Sequence, residues 1–72
     1  MIHRFFSKGT ADNVIGKRCI VVEKIDNPAG CGEVRINNQV WAARSVNDNI
    51  IFNVGERPKV VAIEGVMLVC KK

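Results

Sequence analysis

The sequence predicts an all-β domain, a small five-stranded barrel. Short runs rich in β-branched residues recur from Lys17 onward. Asn, Gly and Pro clusters separate them at short, even intervals. Two runs, residues 20–22 and 60–63, are apolar at consecutive positions. Both faces of those strands therefore need cover. A flat sheet of this size would leave one face wet, whereas closure into a barrel removes that problem and also removes the edges.

Residues 1–15 match neither a strand nor a helix. Ser7, Gly9, Thr10, Asp12 and Asn13 break any period, and Phe5 and Phe6 sit between Arg4 and Lys8. We read 1–15 as a flexible linker and 16–72 as the domain. The first strand is expected over 17–25, carried by Ile20, Val21, Val22 and Ile25. Asp26, Asn27, Pro28, Ala29 and Gly30 end it in a turn. Over 32–37, Val34 and Ile36 face one way and Glu33 and Arg35 the other; over 40–45, Trp41 and Ala43 share a face. Asn37 and Asn38 between them tolerate positive φ and suit a two-residue hairpin turn. Asn47, Asp48 and Asn49 form a polar loop, and Ile50, Ile51 and Phe52 a short turn covering one end of the core. After Pro58, residues 59–64 and 66–70 form a second hairpin around Gly65. A partly open barrel of five strands is the OB-fold; an SH3-like barrel is the structural alternative.

Length and composition narrow the function classes. The chain has 72 residues, 47% hydrophobic and 25% charged, which is one globular domain. No run reaches the roughly 18 apolar residues of a membrane helix, and residues 1–6 lack the apolar core of a signal peptide. The net charge is +4, spread evenly: six basic against four acidic residues in 1–36, five against three in 37–72. Cys19, Cys31 and Cys70 are odd in number and scattered, which points to a reducing, cytoplasmic compartment.

One ordered set of residues resembles a known family. Gly16-Lys17, a strand, Gly30-x-Gly32-x-Val34-x-Ile36, Trp41-x-Ala43-x-Ser45, Gly55, and Val60-Val61-x-Ile63-Glu64-Gly65-x-x-Leu68 are similar to the soluble C-terminal domain of NfeD proteins, over about residues 15–70. The resemblance implies an OB-fold barrel that follows membrane helices in the longer proteins. It also implies a stomatin- or flotillin-like membrane scaffold protein as partner. Some family members carry a ClpP-like serine protease domain; residues 15–70 do not match it, so its chemistry is not carried over. Cys19 stands where a small residue is expected, Asn38 replaces a turn glycine, and Pro58 replaces a strand valine. The proline removes a ladder donor, so its strand should start late or lie at an edge.

Candidate chemistry is sparse. Cys31 between two glycines would need a base to act as a nucleophile, and the only histidine is His3 in the linker. Cys19, Cys31, Cys70 and His3 lack the close pairs of a zinc site. Gly30-Cys31-Gly32 lacks the Lys-Ser/Thr and helix of a phosphate loop. Asp26, Glu33, Asp48 and Glu64 form no acid–base motif, and Trp41 is expected in the core. The reading is thus a non-catalytic protein-interaction module without cofactor or metal. The module itself is expected to be soluble; as part of a longer chain it would lie on the cytoplasmic face of a membrane, with the Arg4 to Lys8 segment beside the bilayer. Arg35, Arg44, Ile50, Ile51 and Phe52 are its candidate interaction surface. The alternative is a single-stranded nucleic-acid-binding OB domain, disfavoured because no strand interleaves basic and aromatic residues. A third possibility is an accessory domain of an enzyme.

Overall fold

Alternation along the chain becomes alternation of burial in the structure, a computed structural model that describes residues 14–72. Five strands form: β1 (Ile20–Asp26), β2 (Cys31–Ile36), β3 (Gln39–Ser45), β4 (Lys59–Glu64) and β5 (Met67–Lys71). In β2, Val34 and Ile36 are buried while Glu33 and Arg35 are exposed; in β3, Trp41, Ala43 and Ser45 point inward. Asn37 and Asn38 have φ of 54° and 64°, the doubly left-handed turn that matches the twist of a β2–β3 hairpin.

The sheet order is β1-β2-β3-β5-β4, with β3 and β5 parallel and every other pair antiparallel. The sheet then closes on itself. The chain before and within β1 bonds the segment leading into β4: Gly16 N donates to Val60 O at 2.7 Å, Cys19 N to Pro58 O at 3.0 Å and Val21 N to Glu56 O at 2.9 Å. Phe52 and Ile25 exchange a further pair of backbone bonds at 2.9 and 3.1 Å. The arrangement is consistent with the five-stranded OB-type barrel read from the sequence. Register shifts in β1, on both sides of Glu23, and in β4 between Val60 and Ala62 supply the bends that closure needs.

Closure explains the differences from the sequence reading. β1 begins at Ile20 rather than 17, because residues 16–19 bond the 58–60 segment instead of β2. Pro58, with no N–H to give, stands just before β4, and its carbonyl takes the bond from Cys19. Val14, on the linker side of the expected boundary at residue 16, is 1% exposed and belongs to the core. Arg4, Phe5, Phe6, Lys8 and His3 lie outside the described residues.

The core gathers Val14, Cys19, Val21, Ile25, Val34, Ile36, Trp41, Ala43, Phe52, Val60, Leu68 and Cys70. Gly32 marks where two backbones meet inside it. A Cβ there would stand 2.5 Å from Ala43 O and 3.1 Å from Ile25 Cα. Only glycine permits that approach.

Candidate interaction surface

Charges that alternate outward along each strand segregate into two regions once the strands are in register. The first lies on the outer face of β1, β2, β3 and β5. A groove of about 560 Å³ there is lined by Glu23, Asn27, Cys31, Glu33, Arg44 and Met67, among others. Glu23 and Glu33 are register partners, and both are exposed. Arg44, half-buried, is held by two carboxylates: Nη1 lies 3.4 Å from Glu64 Oε1 and Nη2 3.7 Å from Asp48 Oδ1. Asn27 fixes that corner. Its Nδ2 donates to Ser45 O at 2.8 Å and Asp48 Oδ1 at 2.7 Å, while its Oδ1 accepts from Ser45 N at 2.9 Å. One side chain thus ties the turn after β1 to the end of β3 and anchors Asp48 beside Arg44.

The second region lies across the closure. Arg18 pairs with Lys59 and Lys59 with Lys71, so three exposed cations stand in one cross-strand row. Next to it, a groove of about 220 Å³ is lined by Arg18, Cys19, Ile20, Arg35 and Arg57. Arg18 donates from Nη1 to Arg57 O at 3.0 Å, which fixes the guanidinium at the groove. Arg35 is the register partner of both Ile20 and Val40, and Val40 is 53% exposed. Among the described residues the ion pairs involve Arg44, and none reaches Arg18, Arg35, Arg57, Lys59 or Lys71.

Beneath this second region two thiols meet. Cys19 Sγ lies 3.9 Å from Cys70 Sγ and donates to Pro58 O at 3.5 Å. With the Cys19 hydrogen turned to Pro58, Cys70 donates to Cys19. That bond holds the Cys19 thiol below its ordinary range despite burial, with Arg18 adding to the effect; the same contact and burial push Cys70 up. Cys31 is half-buried in the other groove. No group of three His, Cys, Asp or Glu among the described residues is placed to hold a metal ion.

The residues singled out in sequence therefore divide. Arg35 belongs to the cationic region and Arg44 to the paired one. Both stand on the outer face of the β2–β3 hairpin, separated by the Glu33–Ala42 pair. Ile50 is half-buried against the core and Ile51 is exposed. Phe52 must be removed from the surface set: it is 1% exposed, drawn inward by its bridge to Ile25. Trp41 is in the core at 6% exposure. Sequence reading missed Arg18, Arg57, Lys59 and Lys71. Nothing local marks them, because only the register across the closure brings them together.

The small closed barrel has charged outer strands, and the aromatic residues among those described are buried, so they offer no stacking platform for bases. Comparison with known proteins makes the class specific. Residues 11–72 match the NfeD-like C-terminal, partner-binding domain, and the chain belongs to that family. The fold is similar to the soluble domain of a membrane protein implicated in regulation of membrane protease activity from Corynebacterium glutamicum (TM-score 0.75, 30% identity, 82% of this chain and 90% of that one). It is also similar to the C-terminal domain of stomatin operon partner protein 1510-C from Pyrococcus horikoshii (TM-score 0.70, 31% identity, 83% and 88%). An uncharacterized protein of Methanocaldococcus jannaschii is 36% identical over 62 residues, covering 86% of this chain. The chain spans 42% of the length of that relative. No helix among the described residues is long and apolar enough to cross a membrane.

Proposed function

We propose that this domain is a non-catalytic docking module that joins a membrane-bound protein to a stomatin- or flotillin-like partner on the cytoplasmic face. The observation that carries the reading is the coverage of the likeness. The family match takes in residues 11–72, and the barrel overlays most of both solved relatives, one a soluble domain of a membrane protein and the other from a stomatin operon partner. Rigid strands with outward charges suit surface recognition, since a barrel that spends its interior on its own packing presents its outer face. Among the described residues the single-stranded nucleic-acid alternative has no exposed ring for stacking, because Trp41 and Phe52 are both buried.

The test is calorimetric titration of the purified domain with the soluble part of a stomatin-type protein. Saturable one-to-one heat is expected. An absence of heat, together with tight salt-sensitive binding of a single-stranded oligonucleotide, would overturn the reading in favour of the alternative.

A further inference from the structure

Three like charges placed directly opposite one another across neighbouring strands destabilise a sheet, and the row Arg18–Lys59–Lys71 has no carboxylate in its register positions. Arg35 and Arg57 add two more cations at the adjoining groove. Arg18 is not left to seek a counter-ion in solvent; Arg57 O holds its guanidinium in place at 3.0 Å. The other charged region contrasts with this, for Arg44 there is met by both Glu64 and Asp48. The first region thus neutralises its arginine and keeps an acidic like-charge pair, Glu23 opposite Glu33, whereas the second holds cations with no carboxylate within ion-pair distance among the described residues.

From this we infer that the cationic groove and row, formed by Arg18, Arg35, Arg57, Lys59 and Lys71, are the docking site for an acidic segment of a partner protein. The inference rests on the interaction reading above and names the chemistry of what is bound. Charge complementarity sets the sign of the occupant: a groove of about 220 Å³ lined by three arginines, beside a cationic row, takes an acidic one. Guanidinium forks match carboxylates in bidentate fashion. Val40, exposed beside Arg35, offers an apolar contact to a residue flanking the acidic ones. A second copy of this chain is disfavoured by its own net charge of +4. Nucleic acid is disfavoured because no aromatic ring among the described residues is exposed near the cations.

The experiment follows amide chemical shifts during titration with a ten-residue Glu/Asp peptide carrying two leucines. Its Gln/Asn counterpart is the neutral control. Shifts are expected at Arg18, Ile20, Arg35, Arg57 and Lys59, weakening as salt rises, with no response to the control. Lys59→Glu and Arg35→Glu should each weaken peptide binding by about ten-fold or more. Lys59→Glu should do so with its melting temperature unchanged or raised, because the new carboxylate stands between Arg18 and Lys71. The neutral variants Lys59→Gln and Arg35→Gln guard against misfolding and should give intermediate losses. Undiminished binding in the reversed variants would overturn the site, as would shifts centred on Cys31 and Arg44. Tighter binding to phosphatidylglycerol vesicles or to a single-stranded oligonucleotide, or salt-sensitive self-association, would overturn the occupant. The same variants are titrated with a soluble stomatin-type protein. Full binding by Lys59→Glu there would reject this site while leaving the docking function standing; no binding by the unmodified domain would reject the docking function itself.

Discussion

Arg35 and Arg44 are the same residue type on the same face of one hairpin, yet they live in different electrostatic surroundings. Arg44 is half-buried between Glu64 and Asp48, and Asn27 holds the Asp48 side of that arrangement. Arg35 stands with Arg18 and Arg57 around a groove whose cations find no carboxylate within ion-pair distance among the described residues. The difference comes from what lies across the sheet. Arg44 is a register partner of Val69 on β5, so it reaches over that strand to Glu64 on β4. Arg35 pairs with Ile20 on β1, and just before Ile20 the chain closes against Lys59. The charge of Arg44 is met within the fold, whereas the cations around Arg35 remain available to a partner of opposite charge.

That contrast can be broken or sharpened by substitution. The largest effect is expected beneath the paired region, at Gly32. Gly32→Ala should destabilise by about 3 kcal/mol, because its Cβ would meet backbone rather than a movable side chain. Denaturant melts check this. Gly30→Ala, where nothing lies within 4 Å, should cost only about 1 kcal/mol of backbone strain. Asn27→Ala comes next, at about 1 to 2 kcal/mol, since Ser45 N and O lose their partner together.

Charge reversals should have smaller effects of opposite sign. Arg44→Glu puts a third carboxylate beside Glu64 and Asp48 and should cost about 0.5 to 1 kcal/mol; Lys59→Glu should raise stability by roughly 0.5 kcal/mol. Equal signs for the two would erase the distinction between the regions. The smallest structural perturbation is a thiol count. In the native domain a maleimide should modify Cys31 alone, and after unfolding all three cysteines, as read by intact mass. Rapid native labelling of Cys19 would mean that the groove above it opens.

Strand faces were legible from sequence because side-chain direction has a period of two: Val34, Ile36, Trp41 and Ala43 went inward as alternation requires. The Asn37–Asn38 turn was legible from its tolerance of positive φ. Phe52 was read two ways, as cover for the core and as surface; its backbone pairing with Ile25 assigns it to the core. The cationic region was not legible. Its members come from residues 18, 35, 57, 59 and 71, and the even charge along the chain gave no sign of clustering. Only non-local register gathers them, and register between distant segments leaves no local trace in composition.

The most direct test of the account is an amide chemical-shift map of this domain bound to the soluble part of a stomatin-type protein, at about 0.15 M salt. The account predicts that the perturbed amides centre on Arg18, Ile20, Arg35, Arg57 and Lys59, with those of Cys31, Ala42 and Arg44 quiet. A map centred on Cys31, Ala42 and Arg44 would contradict it.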